Sequence, residues 1–320
     1  MNFLCHLGNH TPLGRRSLED VIGIFGKQLR ELGHTIFWDP KNDDAGPGMN
    51  FVVGPDAYNI IVEGFTPSIV EAIGKIREGT GAKFLCLATE EPTPLGFNHG
   101  TSREMVWRQE IFPEAMKHFE GILHLVPGKP VTDWFSQYAP TAYVELGHAR
   151  SLERFGDPNR EPKYEFGFYG SLTARRLNLL RKLANRAGVK DAVKVNADFN
   201  TQEERDEAMR DCKVVLQIRK YDEMGLISSS RCNTSLCCGR PVVAEPHDMS
   251  LTEAWSKIVK IADTDEEFFS MALLTAKNWR GAHVGQFRRF KETLTPEFCV
   301  GSALHKLGLT SDERGLARAA

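Results

Sequence analysis

The stretch Tyr164-Glu165-Phe166-Gly167-Phe168-Tyr169-Gly170-Ser171-Leu172-Thr173-Ala174-Arg175-Arg176 reads as a short apolar strand, a glycine turn and the opening of a helix. Leu177, Leu180, Ala184 and Ala187 then recur on one helical face, and Gly188 stands where a helix ends in the left-handed conformation. A second apolar run at residues 193–195 completes a strand–helix–strand unit. The alternation goes on: helix near 202–209, strand 214–218, helix 230–238, Gly239, strand 241–244 and strand 258–262. Helices over 266–277, 286–291 and 296–307 follow. Short apolar runs alternating with helical periods are the signature of a parallel sheet covered by helices.

The same pattern occurs earlier in the chain, with strands predicted near residues 3–7, 35–38, 59–62, 84–88 and 122–126. The first helix is read as opening at Ser17, with Asp20 three residues on and Val21, Phe25, Leu29 and Leu32 on one face. Gly33 is placed to end it. Between 127 and 163 the texture changes to Pro127, Gly128, Pro130, Pro140, Gly147, Gly156, Pro158 and Pro162, which marks a domain boundary. The expected class is α/β, with two Rossmann-like doubly wound domains facing a central cleft. Residues 1–148 form the first, residues 149–308 the second, and residues 309–320 a tail.

Composition narrows the function. The 320 residues, 41% hydrophobic, suffice for two cores of roughly 150 residues each. Forty basic and 42 acidic residues give a net charge of −2, so no global field favours nucleic acid or an anionic membrane, and any anion needs a local cluster. No stretch reaches ~18 apolar residues, and no basic segment leads an apolar one at the start, so the chain is expected to be cytoplasmic and unanchored. Seven scattered cysteines, with Cys237 and Cys238 adjacent, fit a reducing compartment. The absence of CxxC, HExxH and GxxxxGKS/T removes zinc ribbons, zincins and P-loop enzymes.

In open α/β sheets ligands bind beyond the carboxyl ends of strands, so the loops there carry the candidates. Gly170, Ser171, Thr173, Arg175 and Arg176 combine close backbone approach, hydroxyls and two guanidiniums at a helix N-terminus, a phosphate cradle. The competing reading makes Ser171 or Thr173 a helix cap and leaves both arginines solvated. Lys220, beside Arg219, is followed by Ser228, Ser229, Ser230, Arg231, Asn233 and Thr234 at the start of a helix, a second anion-binding arrangement. A serine run is also what an ordinary loop or cap contains. Asp263-Thr264-Asp265 has the look of a metal motif, but Glu266, Glu267 and Phe268 behind it favour a helix cap. Asp43 and Asp44 read as solvated loop residues, and Trp107, Trp134 and Trp255 as core residues or sugar platforms.

The run from Arg231 through Gly239, Arg240, Pro241, Val242 and Val243 to Ala244 resembles the donor-site segment of GT-B glycosyltransferases, and most nearly the CgeB-like, glycosyltransferase family 4-like group. The likeness covers roughly residues 120–280. That group usually places a glutamate about five residues before the glycine, where this chain has Thr234. The resemblance implies transfer of a sugar from a nucleoside diphosphate sugar to a small-molecule, glycan or protein acceptor, with no cofactor and no metal. Arg175, Lys220 and Arg231 would stabilise the departing diphosphate. The base would be contacted by loops after Val195 and Ile218, through backbone or Asn196 or Gln217. A general base would come from the first domain: His10 in the loop after the first strand, Glu90 or Glu91 after the fourth, with Glu63 behind them. Two rivals stand beside this reading, a sugar-nucleotide epimerase or hydrolase of the same fold and a non-enzymatic two-lobed binding or sensor protein.

Overall fold

The computed structural model describes residues 1–6, 12–38, 54, 56–99, 102–157, 159–188, 192–196, 199, 201–222, 225–248 and 253–310. The chain divides into two compact units, Met1–Leu146 with Pro296–Ala320, and Gly147–Thr295.

The first unit carries six parallel strands, β1 Asn2–His6, β2 Thr35–Phe37, β3 Tyr58–Val62, β4 Lys83–Ala88, β5 Gly121–His124 and β6 Thr141–Tyr143, in the order β2-β1-β3-β4-β5-β6. Ile60, Ile61, Leu85, Cys86, Leu87, Ile122 and Leu123 are fully buried, so the central strands read as continuous apolar runs rather than alternating ones. The crossover helices are α1 Pro12–Glu31, α2 Pro67–Thr80, α3 Arg103–Met116 and α4 Lys129–Phe135. Their ends follow from local chemistry. Thr66 accepts from the Ile69 N–H ahead of Pro67, Gly81 closes α2 at φ 70°, and Ser102 accepts from the Met105 N–H to start α3. Helix α1 begins at Pro12, not at Ser17 as the sequence reading had it; proline is suited to the first turn, where its missing N–H costs nothing.

The second unit holds five parallel strands: β7 Tyr164–Tyr169, β8 Val193–Asn196, β9 Cys212–Gln217, β10 Val242–Ala244 and β11 Lys260–Ile261. Their order is β11-β10-β9-β7-β8. Between them run α5 Ala174–Ala187, α6 Gln202–Arg210, α7 Ser229–Cys237 and α8 Glu253–Ser256, and α9 Asp265–Lys277 and α10 Trp279–Thr293 follow β11. Phe166, Phe168, Val214, Leu216 and Val243 meet Leu179, Leu180 and Leu183 of α5 and Phe268, Phe269 and Ala272 of α9 on one face of the sheet. Tyr169, Cys212 and Val215 meet Met209 and Cys238 on the other. Helices therefore cover both faces, as the alternating pattern predicts. Gly167 is required by packing on that second face: a Cβ there would lie 2.7 Å from Cys212 Sγ and 2.8 Å from Tyr169 Oη.

The segment beyond Thr295 differs from its sequence assignment. The sequence pattern assigns residues 296–308 to the second domain, whereas Pro296–Ala320 groups with the first unit. A π-helical turn, Glu297–Gly301, leads into α11 Ser302–Lys306, which packs against β6, and the turn packs against α1. Val300 and Leu304 are fully buried, and Leu307 closes to 3.3 Å of the Cβ position of Gly121. Strand β6 has no clear sequence signal, because Thr141-Ala142-Tyr143 follows Pro140 inside the proline- and glycine-rich stretch 127–163.

Candidate functional site

Both sheets share one topology: the chain leaves its first strand to one side, then crosses back to pair on the other side of that strand. The places where this reversal opens a crevice are the carboxyl ends of β7 and β9 in the second unit and of β1 and β3 in the first.

In the second unit, β7 ends at Gly170, whose φ of 140° is a backbone state that side chains rarely adopt. A Cβ at Gly170 would stand 2.8 Å from Nη2 of Arg231. The guanidinium is fixed from behind: Nε donates to the Tyr169 carbonyl at 2.7 Å, Nη1 donates to Gln217 Oε1, and the cation lies 5.4 Å from the Phe168 ring centroid. Burial draws its pKa down to about 10, leaving it charged at neutral pH.

Arg176 clasps the same strand ends. Its Nε and Nη2 donate to the Ile218 carbonyl at 3.1 and 2.8 Å, and Nη1 donates to the Ser171 carbonyl at 2.8 Å. Burial, and then the charge of Arg231, lower its pKa to about 10. Neither Arg176 nor Arg231 is in an ion pair with a carboxylate among the described residues, although the charge of Glu245 acts on Arg176.

Arg175 is arranged differently. Its two terminal nitrogens donate to the carboxylate of Glu245 at 2.8 and 2.5 Å, and its Nε donates to Asp222. Burial opposes its charge, but the bonds to Glu245 and Asp222 outweigh it and raise the pKa. Glu245, which directly follows β10, is wholly buried and also accepts from the Arg219 backbone N–H. Arg175 thus spends its charge inside the protein, and the expected trio of free cations is reduced to Arg231 and Lys220. Lys220 lies 5.1 Å from the Tyr221 ring centroid.

The hydroxyls sort between capping and display. Thr173 caps α5 by accepting from the Arg176 N–H, and also donates to the Lys220 carbonyl at 3.3 Å. Ser171 is exposed. Ser228 occupies the N-cap position of α7 without a side-chain capping bond, its Oγ 3.4 Å from that of Ser230. Ser229 accepts from Trp255 Nε1, and Thr234 donates back to the Ser230 carbonyl at 2.9 Å. Asn233 does not face the strand ends. It is fully buried and donates to the Gly147 carbonyl at 2.6 Å, a core role set by its place on the inner side of α7. Gln217 is occupied by Arg231, so it is not open to a base. Thr264, not its flanking aspartates, caps α9, and Glu267 accepts from the Asp263 N–H, so the metal-like motif is a helix start.

In the first unit the carboxyl ends of adjacent β3 and β4 bring Glu63 and Glu90 into one electrostatic cluster. Glu63 is buried, with the Thr89 backbone N–H donating to it at 2.7 Å and the Thr89 hydroxyl bonded to its other oxygen. Arg108 of α3 faces Glu90, Nη1 donating to Oε1 at 3.1 Å and Nη2 lying 2.9 Å from Oε2. Burial, then the charge of Glu90, push Glu63 up to about 8 against the pull of Arg108. Burial raises Glu90 as well, opposed by Arg108. Glu91 turns into a loop closed by Asn98, whose side chain accepts from its N–H and whose backbone N–H donates to its carbonyl. His10 lies outside the described residues, as do Asp43 and Asp44.

This pair gives a pH signature. In the unfolded chain Glu63 has an ordinary carboxylate pKa, so between about 4.3 and the folded value of about 8 the folded state holds a proton the unfolded state has lost. Stability from this group is full below that window and falls as pH rises through it. Urea titrations at about pH 5 and about pH 9 are expected to show wild type losing on the order of a few kcal/mol more than Glu63→Gln. Equal pH slopes for the two proteins would sink the assignment.

No family model matches the chain, and no curated protein sequence does. Solved structures do match in fold. WaaG, a glycosyltransferase involved in lipopolysaccharide biosynthesis, superposes with a TM-score of 0.52 at 10% identity over 98% of this chain and 100% of that one. Sucrose-phosphate synthase from Thermosynechococcus elongatus gives 0.52 at 11% identity over 100% and 99%. TarM gives 0.51 at 11% identity over 79% of this chain and 55% of that one, so this chain spans about half the length of TarM. The fold is the two-Rossmann-domain GT-B fold of glycosyltransferases. The narrower CgeB-like likeness gains no support from these matches. Among the described residues no helix is long and apolar enough to cross a membrane.

Proposed function

We propose that the chain is a glycosyltransferase that moves a sugar from a nucleoside diphosphate sugar to an acceptor hydroxyl, with protein cations, not a metal, stabilising the leaving diphosphate. The observation that carries this is the charge at the carboxyl ends of β7 and β9. Arg231 and Arg176 are desolvated, held by carbonyls and an amide, and in no ion pair with a carboxylate among the described residues, though the charge of Glu245 acts on Arg176; Arg231 lies against a glycine that leaves no side chain in the way. A guanidinium already oriented and stripped of water stabilises developing negative charge without reorganising. Lys220 and the N-terminus of α7 at Ser228–Ser230 add to the same field. The fold, shared with known glycosyltransferases, supports the reading.

On the acceptor side, Glu90 is the candidate base, its proton affinity raised by burial against the pull of Arg108, with Glu63 beside it as a second buried carboxyl group whose own titration Glu90 pushes up. The test is a thermal-shift series with UDP-, GDP-, dTDP- and ADP-sugars and no added metal. Ligand present at about 100 times its Kd is expected to stabilise the native state by about 2.7 kcal/mol. Silence from every sugar nucleotide would remove the reading. Epimerised or rapidly hydrolysed donor in the absence of acceptor would favour the rival reactions.

A further inference from the structure

His247 lies two residues past Glu245 at the carboxyl end of β10, the strand paired with β9. The side chain is only 9% exposed. Its Nδ1 stands 2.5 Å from the Glu245 carbonyl oxygen, and since a carbonyl only accepts, Nδ1 carries the proton and donates. Nε2 is then a bare lone pair. Burial, reinforced by Arg219, Arg231 and Arg175 and opposed by the Glu245 carbonyl, holds the pKa near 4, so the ring stays neutral and Nε2 stays an acceptor at physiological pH. That atom is shut off from water and has no hydrogen-bond partner among the described residues.

A second group nearby is in the complementary state. Arg219 faces both Glu245 and His247, and its Nε, beyond a 3.7 Å ionic approach to Glu245, also has no hydrogen-bond partner among the described residues. One strand-end cluster thus presents an unfilled acceptor and an unfilled donor. A phosphate oxygen satisfies the donor alone and repels a lone pair. A hydroxyl fills the His247 acceptor, because it carries a proton to donate.

Resting on the sugar-nucleotide reading, we infer that His247 is a ligand-recognition residue whose Nε2 accepts a hydrogen bond from a hydroxyl of the donor, either on the ribose or on the transferred sugar. A buried acceptor left empty costs stability, which the bound hydroxyl restores; the site therefore discriminates against donors that lack that hydroxyl.

The test is calorimetric titration of wild type, His247→Phe and His247→Ala with ADP, GDP and UDP, their 2′- and 3′-deoxy analogues, and the matching sugar nucleotides. If the hydroxyl is on the ribose, the variants bind the preferred nucleoside diphosphate about tenfold more weakly. That penalty then vanishes with the deoxy analogue lacking the contacted group. If it is on the transferred sugar, the variants match wild type for the nucleoside diphosphate and lose about tenfold only for the sugar nucleotide. Unchanged affinity for every ligand overturns the assignment, and so does an equal loss for all of them, deoxy analogues included, since that marks a structural role. Should wild type bind none of these ligands, the donor reading falls first and this inference with it. If the variants do not fold, nitrogen-15 NMR of wild-type histidines decides: the His247 Nε2 resonance moves with the parent ligand and not with the deoxy form, and a resonance that ignores both overturns the inference.

Discussion

Arg231→Ala is expected to lower turnover of a sugar nucleotide by about 10²- to 10³-fold, the range seen when one preorganised group facing developing charge is removed. The residue earns this because its orientation is fixed before any ligand arrives: Nε is held by the Tyr169 carbonyl, Nη1 by Gln217, and the Phe168 face supports the cation. Arg231→Lys is expected to recover only a small part. An ammonium on a flexible stem cannot bond Tyr169 and Gln217 together while facing Gly170. Steady-state kinetics check this, with a denaturation curve beside each variant to remove any contribution from misfolding. Wild-type kcat in Arg231→Ala would show that the diphosphate lies elsewhere.

Glu245→Ala is expected to cost about 3–5 kcal/mol of stability, because removing one member of a buried ion pair leaves its partners uncompensated. The two bonds from Arg175 and the one from the Arg219 N–H all end on this fully buried carboxylate. Asp222 cannot take over, since it is 77% exposed and its pairing with Arg175 is screened by water. Glu245→Gln keeps the shape and one acceptor oxygen and should cost less. In Arg175→Ala/Glu245→Ala the losses should be clearly less than additive, because the orphaned charge is removed with its partner. Equilibrium urea unfolding measures all three, and a Glu245→Ala loss under about 1 kcal/mol would contradict the buried-pair account.

The fold was largely legible because both sheets are parallel and covered on two sides, which compresses each strand into a short apolar run. Strand β7 lies where its sequence predicts, and the others shift by a residue or two at their ends. What escaped has identifiable causes. Strand β6 is three residues beside a proline, too short to show a period. The return of residues 296–306 to the first unit is a long-range packing choice with no local signal.

The site was legible in its strand-end loops but not in its pairings. The sequence points to Arg175, Lys220 and Arg231 as the converging cations; in the structure Arg176 and Arg231 meet at the strand ends beside Gly170, whereas Arg175 is neutralised by Glu245 and Asn233 is buried. The family resemblance points to a carboxylate before Gly239, where Thr234 stands, and not to Glu245 after β10. The strand-end rule applied to Val242–Ala244 would have found both Glu245 and His247. Arg108 was unmarked because nothing local ties a residue on α3 to the end of β4.

The path of the chain also fixes an order of assembly. Because residues 147–295 interrupt a unit that resumes at Pro296, everything in the second unit has been synthesised before α11 exists to lie against β6. A ribosome therefore releases the second unit in a state ready to fold while the first still lacks Val300 and Leu304 from its core. The unit entered first along this sequence is therefore the one completed last.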